Sequence, residues 1–314
     1  MHISSLKPKI NTNIRGQIQK FATASLTGLV LIAGSGSAFA TGNNIVYNAI
    51  PDTLPPNVVS LGYEAESTSE FGDFVHLGGT SRKLNDVTVT MSNWALASEY
   101  SNNPLFNSNS VSWTHPITIN VYGKELNANG TPKKLLATKE QTITIPWRPF
   151  ADSSCDIVTK YRAADGRCYN GLAFNAKFNL SSLRVTLPDD IIIGVAYNTA
   201  DYGKNPLHVA GPYNSLNVGV PDNQVVSVGR DDNTDNAFVN SSNAGFYTDG
   251  GSKGFGIFRE DTNYTPNGSV AFKITATDKF MGTSKDDCKN NGWKTLAGNY
   301  KNQGDCVSSV VKQS

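Results

Sequence analysis

The chain predicts an all-β fold, a two-sheet antiparallel β-sandwich of jelly-roll-like form with a short Cys-clasped C-terminal appendage. Three observations lead there. About a dozen short segments alternate apolar and polar residues with turn signals between them. No stretch between them keeps a helical period for three turns. And antiparallel strands with one dry face must hide it, so a dozen of them imply two packed sheets.

The clearest strand lies within residues 62–94. There Val87, Val89 and Met91 alternate with Thr88, Thr90 and Ser92, one apolar face against one polar face. That strand spans 84–94, and other candidates run at 45–50, 58–63, 74–77, 117–122, 135–145, 172–178, 183–187, 191–197, 215–220, 255–258 and 270–276. In 117–122, Ile117, Ile119 and Val121 should face inward, leaving Thr118, Asn120 and Tyr122 outward. The run Ile191-Ile192-Ile193 is apolar on both faces, as a central or doubly covered strand would be. Asn127 to Pro132 reads as a hairpin loop and Pro188-Asp189-Asp190 as a turn, because Asn, Asp, Gly and Pro set the backbone angles turns need. Residues 100–112 form a polar surface loop.

Residues 1–40 read as an export signal. Lys7, Lys9, Arg15 and Lys20 precede an apolar run at 26–33 and a small-residue exit, Ala38-Phe39-Ala40. The run falls short of the roughly 20 residues that span a bilayer, so cleavage after Ala40 and no retained membrane anchor are expected. Of the 314 residues, 274 then remain, with 23 of the 27 Lys and Arg and all 26 Asp and Glu, a net charge of −3. That mildly acidic balance argues against nucleic acid or anionic membrane as partners. The remainder divides into a sandwich domain at 41–277 and a tail at 278–314.

Cys155, Cys168, Cys288 and Cys306 form two sequence-local pairs. An oxidising compartment favours disulfides, and of three connectivities the local one, Cys155–Cys168 with Cys288–Cys306, is expected. No zinc-ligand spacing occurs among them.

Within the tail, CKNNGWKTLAGNYKNQGDCVSSV resembles a segment that closes many uncharacterised exported bacterial proteins. EFGDFVHLGGTSRKLNDVTVTMSNW, followed by a Pro-Ile-Thr-Ile-Asn-Val-Tyr strand and Ile-Pro-Trp-Arg-Pro, is similar to exported bacterial β-sandwich proteins of unknown function. The resemblance implies an extracellular or periplasmic sandwich and brings no catalytic residues with it.

Candidate chemistry is sparse. Glu64, Glu66, Glu70 and Asp73 could supply a carboxylate pair for glycoside hydrolysis; Glu64 and Glu66 would share a face on a strand. The preferred reading is a charged, solvated strand edge, with Asp73 in a turn. Asp231, Asn233 and Asp235 occupy the first, third and fifth positions of a calcium loop. Asn236 stands where an EF-hand wants Gly, and Ser242 where it wants Glu. That leaves an Asx-rich turn, or a non-EF calcium site as the one possible cofactor. His76, His115 and His208 lack ligand spacing, and neither Gly-x-Ser-x-Gly nor His-Glu-x-x-His occurs.

Aromatics are the more suggestive set. Trp94, Trp113 and Tyr122 are the candidate ligand-binding residues, able to stack on sugar rings at strand ends or on a polar face, although core burial is the commoner use of a large aromatic. The leading expectation is a secreted, non-enzymatic sandwich that binds polysaccharide or cell-envelope glycan. Its rivals are a glycoside-hydrolase-like enzyme using two of Glu64, Glu66, Glu70, Asp189 and Asp190, and a structural coat or matrix protein.

Overall fold

The computed structural model describes residues 43–312 apart from 104–105, 223, 235, 263–268, 281 and 297–299. The expected export signal, 1–40, lies outside the described residues.

Fourteen strands are described: β1 (Asn44–Asn48), β2 (Ser60–Gly62), β3 (Thr68–His76), β4 (Lys83–Asn93), β5 (Ser112–Gly123), β6 (Leu135–Pro146), β7 (Tyr161–Arg162), β8 (Cys168–Tyr169), β9 (Leu172–Asn179), β10 (Asp190–Ala196), β11 (Leu216–Gly219), β12 (Ala237–Ser241), β13 (Arg259–Asp261) and β14 (Phe272–Thr277). The first sheet runs β1-β14-β4-β11-β2 with β9 also on β4; the second runs β13-β12-β3-β10-β5-β6. Their pairings are antiparallel throughout. The chain crosses between the two sheets at most steps, so its core is built from contacts distant in sequence. This is the two-sheet sandwich the periodicity predicts.

One apolar cluster joins the inner faces. Val87, Val89 and Met91 of β4 meet Phe71 and Val75 of β3, Ile117, Ile119 and Val121 of β5, and Ile191 and Ile193 of β10. β10 lies between β3 and β5, and its Ile192 turns outward into a second apolar cluster with Phe238 and Phe258, so all three isoleucines are buried. The polar face of β4 is not wet, however. Thr90 and Ser92 are buried, and their hydroxyls donate to Asn175 Oδ1 at 2.9 Å and Asn57 Oδ1 at 2.7 Å.

Several expected strands shift. Segment 183–187 is no strand: a 3-10 turn at Ser181–Leu183 and the left-handed Arg184 (φ 51°) carry the chain, with one bridge from Thr186 to Lys83. The strand expected at 255–258 begins at Arg259 instead, after a loop whose Gly250, Gly251, Gly254 and Gly256 all have positive φ, a backbone glycine adopts without a Cβ penalty. Arg259 fixes that loop. Its guanidinium pairs with Asp249 at 2.8 Å, donates from Nε to the Gly254 carbonyl and lies over the Tyr247 ring.

Both local disulfides are present. The tail holds its own small core of Cys288, Leu296, Tyr300, Cys306 and Val310, and ends in helix α1 (Gln303–Val311). Asn302 caps that helix by accepting from Asp305 N at 2.9 Å, while the Asp305 carboxylate accepts from Lys301 N. An Arg184–Asp287 ion pair ties the tail to the sandwich. No described helix is long and apolar enough to cross a membrane.

Candidate functional site

The residues with the most unusual surroundings lie on the outer face of the second sheet. Register sets it up: across β3, β10 and β5, Glu70 aligns with Ala196 and Thr118, Gly72 with Gly194 and Asn120, and Phe74 with Ile192 and Tyr122. The middle row carries two glycines side by side. Through this gap Glu70 reaches across to β5, where Asn120 Nδ2 donates to its Oε1 at 2.9 Å and the Tyr122 hydroxyl donates to Oε1 at 3.0 Å. A Cβ on Gly194 would stand 2.1 Å from that same Oε1, and one on Gly72 2.7 Å from Phe258 Cζ. Both glycines are therefore needed to let side chains lie flat on the sheet.

Burial pushes the Glu70 carboxyl up to about 7, while the Asn120 and Tyr122 hydrogen bonds pull it down. Thr138 extends the array, its hydroxyl donating to Asn120 Oδ1 at 2.8 Å. Tyr122 is half-buried, its ring 5.2 Å from that of Phe258, which the 245–258 loop brings over the sheet. At the far end of the same face, Asp190 takes His76 Nδ1 at 2.6 Å and Lys124 Nζ at 2.7 Å. The Lys124 and His76 contacts lower the Asp190 carboxyl. A shallow depression adjoins this end, lined by His76, Leu77, Gly78, Gly79, Thr80, Arg82 and Asp189.

The three aromatics predicted to bind ligand do not share a surface. Tyr122 faces outward on the second sheet, as its alternation predicts. Trp113 is corrected to core: it is only 4% exposed and sits among Phe106, His115 and Trp147, closing one end of the sandwich. β5 begins at Ser112, so Trp113 falls on the inward set with His115 and Ile117 instead of in a loop. Trp94 is 39% exposed, but its Nε1 donates to Ser92 Oγ at 3.0 Å, which places it on the outside of the first sheet, across the sandwich from Tyr122.

The carboxylates also rearrange. Glu64 and Glu66 lie in the turn between β2 and β3, so they share no strand face. Asp73 is corrected from a turn residue to a fully buried one on the core face of β3, between Phe71 and Val75. That position was legible, since Phe71, Asp73 and Val75 are two apart. The groups on the Glu70 carboxylate are an amide and a phenol, where a glycosidase would set a second carboxylate. His115 is buried beside Tyr213 and Tyr197, with Nε2 at 2.9 Å from the Asn198 carbonyl. Burial lowers it to about 4.

Of the calcium-loop residues, Asp231 accepts from Asn233 N at 3.0 Å, closing an Asx turn, and Asp235 lies outside the described residues. No group of three or more His, Cys, Asp or Glu side chains able to hold a metal ion occurs among the described residues. Comparison of the chain with protein-family models, with curated proteins and with solved structures finds no match.

Proposed function

We propose that the protein is an exported, non-enzymatic binding module that engages carbohydrate or cell-envelope glycan through the outer face of its second sheet. The observation that carries this reading is the Glu70-Asn120-Tyr122-Thr138 array. It offers fixed hydrogen-bonding groups beside a half-buried aromatic ring, the combination that orients a sugar hydroxyl against a stacking surface. The two disulfides and the tail's resemblance to exported bacterial proteins are in keeping with an extracellular or periplasmic setting. Within this reading, a calcium ion at the Asp231 turn serves structure and not chemistry.

Glycan-array binding of the chain, repeated with Tyr122→Ala, tests the proposal. Binding that is lost in the variant while its thermal midpoint stays near wild type supports it. Failure to bind any polysaccharide overturns it.

One observation favours a second reading. A carboxyl near 7 such as Glu70 is poised for general-acid work. Release of reducing sugar from a polysaccharide panel, abolished by Glu70→Gln, would replace the binding module with a hydrolase.

A further inference from the structure

The end of the sandwich where β4 stops and β5 starts carries an apolar surface separate from the Glu70 array. Of the thirteen large apolar side chains exposed among the described residues, six belong to it: Val111, Phe150, Ile157, Val158, Leu207 and Val209. Register puts their segments at one end. Asn93, the last residue of β4, aligns with Leu172 and Leu216, the first residues of β9 and β11, and Ser112 of β5 aligns with Pro146 of β6. Hydrogen bonds tie the segments to one another. The buried Arg148 donates from Nε to the Trp94 carbonyl at 2.8 Å and from Nη1 to the Thr159 carbonyl at 2.7 Å. Trp147 N donates to the Val111 carbonyl at 3.2 Å. The Tyr213 hydroxyl donates to the Val209 carbonyl, and Phe106 joins the Tyr213 ring to that of Trp113.

Three of the six stand almost clear of the protein: Val111 is 88% exposed, Val158 78% and Phe150 70%. The backbone around Ile157 and Val158 is nonetheless tightly built. The Cys155–Cys168 disulfide closes it, Asp152 N donates to the Lys160 carbonyl at 2.8 Å, and Lys160 N donates to the Ile157 carbonyl at 3.0 Å. Arg162 donates to the Ser154 carbonyl at 2.9 Å. Single exposed apolar residues are ordinary, but a group of them gathered at one end marks a contact surface. Charge there cancels. Between 149 and 171, Asp152, Asp156 and Asp165 stand against Lys160, Arg162 and Arg167, with Arg162–Asp152 and Lys160–Asp156 each paired at 3.4 Å. Between 197 and 215, Asp201 balances Lys204.

We propose that this end of the sandwich docks on a neutral lipid surface, with Phe150, Val158 and Val111 entering the level where headgroups meet acyl chains. Three features select lipid over a protein partner. Apolar knobs on separate segments each need a matching hole in a folded partner, whereas a fluid surface closes around all of them. The cancelled charge supplies no field to steer a charged partner. And backbone that approaches an apolar layer must have its polar groups satisfied within the protein, as the carbonyls of Ile157, Thr159 and Lys160 are. Docking of this kind lies on a bilayer without spanning it. It uses none of the glycan-face residues and does not depend on that reading.

Flotation with vesicles of equal parts phosphatidylcholine and phosphatidylethanolamine tests this. The protein used is residues 41–314, a compact unit by itself, so that the apolar run at 26–33 adds no lipid affinity of its own. The wild-type protein should float, and equally at about 0.1 M and about 1 M salt, because screening does not weaken apolar contact. Phe150→Ser should lower the partition coefficient about tenfold and Val158→Ser about threefold, in proportion to the apolar surface removed. Both positions are exposed, so both variants should keep the wild-type thermal midpoint. Ile45→Ser, an equally accessible apolar position on β1, should float as wild type does. Failure of the wild-type protein to float, flotation lost at high salt, or flotation unchanged in Phe150→Ser would each overturn the proposal. So would a dimer in light scattering that Phe150→Ser splits, which would assign this end to a second copy of the chain.

Discussion

Replacing Glu70 by Gln should make the protein more stable at pH 8 and leave it nearly unchanged at pH 4. In the unfolded chain the carboxyl ionises near 4.5; in the folded protein burial holds it up to about 7. Between those values the folded state keeps a proton that the unfolded state has released. Stability therefore falls as pH rises through the window, and the full cost stands above about 7. At 1.36 kcal/mol per pH unit the gap corresponds to about 3 kcal/mol, undiminished by solvent because the group is fully buried. Gln fits the same space, accepts from Asn120 and Tyr122 through its carbonyl oxygen, and carries no charge to desolvate. The measurement is urea unfolding of both proteins at half-unit steps from pH 4 to 8, taking the difference between the two curves so that other titrating groups cancel. A difference that grows from near zero to about 3 kcal/mol in favour of Gln is expected. A flat difference, or a Gln variant less stable at pH 8, would mean that the Glu70 carboxylate is solvated or is held as an anion by partners stronger than Asn120 and Tyr122.

Other outcomes follow from the same packing. Trp113→Ala should cost about 3–5 kcal/mol in unfolding free energy through the cavity it leaves, with glycan binding per folded molecule unchanged; selective loss of binding would return Trp113 to a ligand site. His115 is held down at about 4, so its ring should show no protonation shift by NMR until well below the usual 6.5. Because the unfolded chain takes that proton first, His115 removes stability as pH falls from 6.5 towards 4, and a normal titration midpoint would refute the buried ring. Replacing Cys288 and Cys306 by Ser should loosen the tail by about 3 kcal/mol. Faster amide exchange should be confined to the segment from Asp286 to Val311, since that segment packs on its own cluster; exchange spreading into β4 or β14 would show that the tail supports the sandwich.

What could be read in the sequence was local. Val87, Val89 and Met91 declare a core face because strand alternation is a property of consecutive residues, and the isoleucines of β10 declare two covered faces for the same reason. β12 was invisible. Its Ala237-Phe238-Val239 core is only three residues long, set among Asp, Asn and Ser, and it becomes a strand by pairing with β3 on one side and β13 on the other. Helix α1 is too short to show a period, though Asn302 three residues before Asp305 is a start signal that composition obscured. Glu70 was visible as an acid but not as a buried one. Its environment depends on Gly72 and Gly194 standing in the same row, a fact of register between strands 122 positions apart that alternation within either strand does not carry.

That row also sets how the two outer faces of this sandwich differ. On the first sheet the outward hydroxyls of Thr90 and Ser92 are consumed by Asn175 and Asn57, and the nearby indole of Trp94 donates to Ser92. Those bonds lie within the protein, as do the bonds of Asn120 and Tyr122 to Glu70 on the second sheet. On the second sheet the glycine gap lowers the surface where Glu70 crosses it, and Phe258 and Tyr122 build an aromatic wall beside the lowered strip. Asn120 and Thr138 remain partly or fully accessible along the strip. β3 thus bears two unlike carboxylates three residues apart, Glu70 outward and Asp73 inward, because an odd spacing on a strand puts side chains on opposite faces. Burial raises both carboxyls, the outward one to about 7. The two environments are separate, so a single nine-residue strand gives one face to the core and the other to the Glu70-Asn120-Tyr122 array.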